Sequence, residues 1–155
     1  MLEREKIIET AASENGYKES PPSSNNNKFG EWYGMNHVAW CAIFVSWVYD
    51  QCGVKWPKKV ESEKGFAWCP ALYYRAKQND WITLSPKAGD IVLFDWNGDQ
   101  KADHTGLFAE WVVEGKTFRS WEGNTSPSNN SNGGEVMLRE RKVSQIQAFV
   151  NVIDV

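Results

Sequence analysis

The spacing of apolar residues changes near Trp81, and this change most limits the folds that the chain can adopt. Before Trp81 the apolar residues recur at helical spacing, and after it they alternate with polar residues in short stretches bounded by turn signals. The helices are predicted over residues 3–14, 40–52 and 70–78, and the strands over residues 91–94, 105–113, 118–121, 136–139 and 148–153. Early helices followed by hairpin-linked strands indicate an α+β fold, with N-terminal helices packed on an antiparallel sheet of about five to six strands.

Length, charge and hydropathy exclude several classes of protein. A chain of 155 residues has the size of one domain, so we predict a single domain over residues 1–155. The net charge of −3 gives no reason to expect a nucleic-acid partner. No apolar run approaches ~18 residues, and the first residues lack the apolar core of a secretory signal. Neither a membrane partner nor a signal peptide is therefore expected.

The three cysteines, Cys41, Cys52 and Cys69, are an odd number and contain no CxxC pair. A disulfide framework or a structural zinc site is not expected, and Cys52 and Cys69 are interpreted as buried thiols. Cys41 differs because it stands at the start of the apolar run 42–49, where a helix N-terminus lowers the pKa of a thiol. Cys41 is either an activated nucleophile or one more position of the core.

Two later segments offer partners for a nucleophilic thiol. His104 closes a turn and opens a strand, and its imidazole can take the thiol proton and later protonate a leaving amine. Glu122, at the end of the next predicted strand, can fix the tautomer of that imidazole. Asn124 can support Glu122 or donate to an oxyanion. His37, four residues before Cys41, is a rival base, but it has no obvious acceptor at helical spacing, so His104 is preferred.

The segment 95–103 resembles a calcium loop in the spacing of its oxygen ligands. Positions 1, 3, 5 and 9 of that pattern are occupied by Asp95, Asn97, Asp99 and Asp103. The pattern departs from an EF-hand because glycine stands at position 4 and glutamate is absent from position 12. The segment is either a structural calcium site that holds the turn before His104 or an ordinary solvated hairpin turn.

The chain holds more aromatic residues than a core of this size usually contains, with nine tryptophans and 14% aromatics overall. Several of them stand in the polar, turn-rich loop 18–36. A loop of this length is usually functional or disordered, and its aromatic residues favour a functional role. We predict that some rings line a substrate groove suited to carbohydrate or peptide. The expected groove residues are Phe29, Trp32, Tyr33, Trp40 and Trp96.

Four separated motifs occur together in an order that resembles a known family. They are Trp40-Cys41-Ala42-Ile43-Phe44-Val45-Ser46-Trp47, Gly89-Asp90-Ile91-Val92-Leu93-Phe94, Ala102-Asp103-His104-Thr105-Gly106 and Glu122-Gly123-Asn124. By these motifs the sequence is similar to the CHAP domain, a cysteine, histidine-dependent amidohydrolase/peptidase of the NlpC/P60 superfamily. The resemblance covers nearly the whole chain.

The resemblance implies a papain-like fold and assigns roles to four residues. Cys41 matches the family's nucleophile and His104 its general base. Glu122 matches the residue that orients the histidine, and Asn124 the accompanying polar group. Family members typically cleave amide bonds of peptidoglycan, either between the lactyl group of the glycan and L-alanine or within the peptide stem and crossbridge. They occur in bacteriophage endolysins, tail-associated lysins and bacterial autolysins.

The resemblance therefore implies a peptidoglycan hydrolase that works through a cysteine thioester, as an N-acetylmuramoyl-L-alanine amidase or as a peptide endopeptidase. This chemistry requires no cofactor, and any calcium would be structural. The expected partner is peptidoglycan, and a monomer is expected unless the chain belongs to a virion or a larger protein. Without a signal peptide, the chain would reach the cell wall by phage delivery, by release through a holin lesion or as a domain excised from a longer secreted protein.

Two alternatives to a wall hydrolase remain open at this stage. The first is an amidase or peptidase with a non-wall substrate. The second is a non-catalytic virion structural or binding module that keeps the fold.

Overall fold

The computed structural model describes residues 3–155, in which four helices are followed by a six-stranded sheet. The helices are α1 (Glu3–Ser13), α2 (Lys28–Tyr33), α3 (Cys41–Gln51) and α4 (Cys69–Gln78). The strands are β1 (Ile82–Thr83), β2 (Ile91–Phe94), β3 (His104–Val113), β4 (Thr117–Thr125), β5 (Glu135–Lys142) and β6 (Ile146–Val150), and a 3-10 turn at Val143–Gln145 joins β5 to β6. The predicted α+β fold with an antiparallel sheet is confirmed.

The strands lie in the order β1-β6-β2-β3-β4-β5, and every neighbouring pair is antiparallel. Hairpins join β2 to β3, β3 to β4 and β4 to β5, whereas β6 returns to lie between β1 and β2. Leu107 of β3 faces Trp121 of β4, so the first residues of β3 lie beside the last residues of β4. This register brings His104 and Glu122 to the same end of the sheet.

Helix α3 is buried on nearly every side because its sequence is apolar except at a few positions. The buried hydroxyl of Ser46 is satisfied locally: it lies 3.0 Å from the carbonyl oxygens of Ala42 and Phe66 and accepts from the N–H of Phe66. The helix packs on β3 and β4, which places its first residue, Cys41, against the sheet. Although α3 is strongly apolar, none of the helices within residues 3–155 is long and apolar enough to cross a membrane.

The sheet buries apolar residues on both of its faces. Ile91 and Leu93 of β2 belong to the main core, which the helices complete. The alternate residues of β2 point to the opposite face, where the second cluster contains Val92, Phe94, Phe108, Phe118 and Phe149. Burial on both faces explains why β2 is continuously apolar instead of alternating.

Two short elements are not predicted by the sequence. Helix α2 lies inside the loop 18–36 and is capped by Asn27, whose side-chain oxygen accepts from the N–H of Gly30 over 2.8 Å. Strand β1 has two residues and pairs only with β6 at the edge of the sheet. Several boundaries also differ, since β4 continues to Thr125, four residues past its predicted end.

Candidate active site

Cys41 is the first residue of α3, and its side chain is 5% exposed. The preceding residue, Trp40, is fixed because its Nε1 donates to Glu19 Oε1 over 3.0 Å and its ring stacks on Phe29. The side chain of Trp40 makes no capping hydrogen bond to the first turn of α3. The N–H groups of that turn therefore favour negative charge at Cys41.

His104 and Glu122 form a buried pair where β3 begins and β4 ends. His104 Nε2 lies 2.9 Å from Glu122 Oε1, and neither side chain is exposed. Nδ1 of His104 makes no hydrogen bond of ordinary length with any other part of residues 3–155. Nδ1 is therefore the ring nitrogen that is available to the thiol of Cys41. The thiol and the imidazole are near enough to shift each other's pKa.

The charges at the site favour a thiolate paired with an imidazolium. A hydrogen bond with Cys69 lowers the pKa of the Cys41 thiol well below its ordinary value, and the charge of His104 lowers it further. Burial lowers the pKa of His104, but the negative charges of Cys41 and Glu122 raise it to about 9. Burial raises the pKa of Glu122, but hydrogen bonds to His104 and Arg141 bring it down to about 2. At neutral pH the site therefore holds alternating negative and positive charges.

Arg141 of β5 binds the far side of Glu122, and sequence reasoning missed it. Its Nη2 donates to Oε1 of Glu122 over 2.6 Å and its Nε donates to Oε2 over 3.0 Å. The arginine is only 4% exposed. Ser120 also donates to Oε2. In the sequence, Arg141 stands in the charged run 139–142, which is typical of a solvated strand, so no local signal marks it as buried.

Cys69, the first residue of α4, contacts the candidate nucleophile. Its Sγ lies 3.9 Å from Cys41 Sγ, and both thiols are free and buried. The hydrogen bond with Cys41 and burial raise the pKa of Cys69, so Cys69 keeps its proton and acts as the donor of the pair. Cys69 is buried as predicted, but its place beside Cys41 was not predicted. One available signal is that each of the two cysteines follows a tryptophan.

The match to a family decides the classification of this chain. The model of the CHAP domain family matches residues 32–124, which include Cys41, His104 and Glu122. The chain belongs to the CHAP family. Its fold is similar to a solved structure titled "Crystal structure of a wild type endolysin LysIME-EF1", with a TM-score of 0.63, 13% sequence identity, and coverage of 100% of this chain and 67% of that chain. A search of curated proteins finds no match.

Asn124 of this CHAP domain directs its side chain to the loop between β4 and β5. Its Oδ1 accepts from the N–H of Gly134 over 3.0 Å, and its Nδ2 donates to Asn132 Oδ1 over 3.2 Å. The residue is fully buried and has a positive φ of 57°. These contacts stabilise the loop, and a role beside His104 stays a prediction.

His37 does not lie on the helix that begins at Cys41. It is exposed, has a positive φ of 63°, and its Nδ1 lies 3.4 Å from the carbonyl oxygen of Ser24. The helical spacing that would have made it a rival base is absent because α3 begins only at Cys41. The geometry favours His104 as the partner of the thiol.

The prediction that Phe29 and Trp40 line a substrate groove is wrong. Both are fully buried, because their rings stack 5.5 Å apart and Phe29 also packs edge-on against Phe44. They hold α2 against α3 and cannot touch a substrate. Trp32 and Tyr33, at the end of α2, are only half-buried, so their assignment to the groove stays a prediction.

Two tryptophans lie beside the site. Trp96 is half-buried and stacks on the ring of His104 with centroids 5.9 Å apart. Trp68, which sequence reasoning missed, is 51% exposed and directly precedes Cys69. The Nζ of Lys101 lies 5.5 Å from the centre of the Trp68 ring, which links Trp68 to the turn before His104.

The acidic turn brings three of its four predicted ligands together. Oxygen atoms of Asp95, Asp99 and Asp103 lie within 4.8 Å of one another. Asn97 instead accepts from the N–H of Asp99, over 3.3 Å. Both carboxylate oxygens of Asp95 accept backbone N–H groups, which is the usual geometry of a polar turn. Calcium binding here stays a prediction.

Proposed function

We propose that this chain hydrolyses an amide bond of bacterial peptidoglycan through a covalent thioester on Cys41. The observation that carries the proposal is the buried alignment of Cys41, His104 and Glu122, in which each group adjusts the charge of the next. Membership of the CHAP family and a fold similar to that of an endolysin support peptidoglycan as the substrate.

The reaction follows from the charges of the site. The Cys41 thiolate attacks the amide carbonyl carbon and forms a carbon–sulfur bond. The His104 imidazolium gives its proton to the amine nitrogen as the carbon–nitrogen bond breaks. The neutral imidazole then takes a proton from water, whose oxygen attacks the thioester and releases the carboxylic acid and the thiolate. Glu122 keeps His104 oriented through both steps.

The bond that is cleaved is either the amide between the glycan lactyl group and L-alanine or an amide of the peptide stem or crossbridge. Cleavage at the lactyl group separates whole peptides from the glycan, whereas an endopeptidase cuts within the peptides. Mass spectrometry of the soluble products distinguishes the two. The half-exposed Trp68 is our candidate for contact with the substrate, because it adjoins Cys69 at the nucleophile.

Exchange of single cysteines tests the nucleophile. We expect Cys41→Ala to abolish the clearing of purified Gram-positive cell walls. Cys52→Ala is the matched control, since Cys52 is also a free, buried thiol but contacts Thr10 and not the site. Full activity of Cys41→Ala, or equal loss in both variants, would contradict the assignment.

We also propose that the protein acts outside the cell membrane after delivery by a phage, either as a released lysin or as a tail module. The similarity of the fold to an endolysin supports this route. Genes for a holin or for tail proteins beside the coding sequence would agree with it.

A further inference from the structure

We infer that Arg141 is a positioning residue that fixes Glu122, and through it His104, in the hydrolysis proposed above; the inference rests on that proposed function. None of the four motifs that mark the family contains this residue. It is supplied by β5, the outermost strand of the sheet next to β4. Two observations and one electrostatic argument carry the inference.

The first observation is that each carboxylate oxygen of Glu122 has two hydrogen-bonding partners. Oε1 contacts His104 and Arg141, and Oε2 contacts Arg141 and Ser120. A carboxylate that rotated away from His104 would lose both bonds to the planar guanidinium at once. Arg141 therefore holds the oxygen of Glu122 that orients the imidazole.

The second observation is that Arg141 is itself immobilised. Its Nη1 donates to Asn130 Oδ1 over 2.9 Å, and its guanidinium carbon lies 5.0 Å from the centre of the Trp96 ring and 5.6 Å from that of Phe94. Trp96 also stacks on His104. One aromatic ring thus contacts both the guanidinium and the imidazole.

The balance of charge in the buried site supplies the electrostatic argument. The Cys41 thiolate and the Glu122 carboxylate are balanced by the His104 imidazolium and the Arg141 guanidinium. Without the guanidinium, the same buried groups would carry one net negative charge, which disfavours the thiolate. Loss of Arg141 should therefore move the ionisation of Cys41 to higher pH.

Other charged groups around the site do not replace this guanidinium. Asp103, before β3, and Glu61 are negative, and both act on Cys69. Arg139 of β5 is positive and near enough for the charge of Glu122 to act on it, but its guanidinium donates to Thr125, to the carbonyl of Ser126 and to Asn130, and makes no hydrogen bond to Glu122. Arg139 is therefore the matched control, because it lies two residues earlier on the same strand and face.

The test compares Arg141→Gln with Arg139→Gln. The rate at which iodoacetamide alkylates Cys41, located by mass spectrometry, is measured against pH, together with kcat and KM for wall hydrolysis. For Arg141→Gln we expect alkylation to begin at a higher pH than in the wild type. We expect kcat to fall by about 10–100-fold, the size of loss found when residues that orient metal ligands are replaced. KM should change little, and Arg139→Gln, which loses no hydrogen bond to Glu122, should show a much smaller change in both measurements.

Two further variants separate positioning from simple support of the fold. Arg141→Lys keeps the charge but loses the planar fork, so it should keep the pH of alkylation and lose part of kcat. Arg141→Ala should regain activity when guanidinium ion is added at concentrations that leave its melting temperature unchanged.

Unchanged alkylation and kcat in Arg141→Gln would overturn the inference. A loss of kcat with an unchanged pH profile and no rescue by guanidinium would overturn it as well, because a structural role would then suffice. Alkylation needs no wall substrate, so a pH shift in a protein that does not cleave walls would support the inference and refute the proposed substrate.

Discussion

At position 104, one imidazole contacts Glu122 through Nε2 and leaves Nδ1 for Cys41. We expect His104→Ala to reduce turnover by about 10²–10⁴-fold, the usual loss when a general acid and base is removed. His37→Ala should stay near the wild type, since His37 is exposed and lies against the carbonyl of Ser24. Initial rates of wall clearing measure both variants, and the opposite ranking would assign the chemistry to His37.

Sequence and structure agree best on residues that belong to short motifs. Cys41, His104 and Glu122 could be predicted because Cys41 stands at the start of an apolar run, His104 follows a turn and Glu122 ends a predicted strand. Arg141 and Cys69 could not, because Arg141 stands within a charged run and Cys69 shows only a preceding tryptophan, and their contacts with Glu122 and Cys41 exist only in the folded chain. A charged residue in a polar strand gives no sign that a partner will bury it.

At the scale of elements, the acidic turn 95–103 joins β2 to β3 and so leads directly into His104. If its clustered carboxylates bind calcium, one site at 100 times its Kd adds ~2.7 kcal/mol to the free energy of unfolding. We expect calcium to raise the melting temperature of the wild type and not that of Asp99→Ala. Glu114→Ala, which removes an exposed carboxylate from the β3–β4 turn, is the control. If calcium shifts the melting temperature equally in all three proteins, the segment is an ordinary turn and not a calcium site.

Helices in which apolar residues recur at helical spacing could be predicted, whereas the shortest helix and strand could not. Helices α1, α3 and α4 each carry an apolar pattern of at least ten residues. Helix α2 has six residues and depends on the Asn27 cap, so its stability comes from one side chain and from packing on α3. The two-residue strand β1 is too short to show alternation at all.

At the scale of the whole molecule, the buried Glu122 makes stability depend on pH. Its pKa is about 2 in the folded protein against an ordinary 4.5, so its contribution is complete above pH 4.5 and is lost as the pH falls through about 2. We expect the melting temperature of the wild type to fall more steeply over this range than that of Glu122→Gln, measured by circular dichroism.

Asp154 supplies a control for this pH dependence. Its pKa is also lowered to about 2, by hydrogen bonds from Asn151, Arg4 and Lys87, but it lies near the surface. Added salt should weaken the effect of Asp154→Asn and leave that of Glu122→Gln largely unchanged, because buried charges are screened less. Equal acid slopes for the wild type and Glu122→Gln would contradict the prediction.

The fold class could be predicted from the change of period near Trp81, but the strand order could not. Hairpins follow from short connections, whereas β6 pairs with β1 and β2 across long stretches of chain. The continuous apolar run of β2 indicates a central strand, but it does not indicate which strand pairs with β2 on the side opposite β3. That neighbour is set by packing on both faces of the sheet.

The order of the site residues along the chain also sets when their contacts can form during synthesis. Cys41 leaves the ribosome first, and Arg141 follows 100 residues later, which takes about 5–20 s at bacterial and eukaryotic rates of translation. Until β3 and β4 have been made and paired, neither the charge of His104 nor its hydrogen bond can act on the thiol. The nascent chain therefore carries the Cys41 thiol before the imidazole that lies beside it has been made, and the site is complete only once β5 has been added.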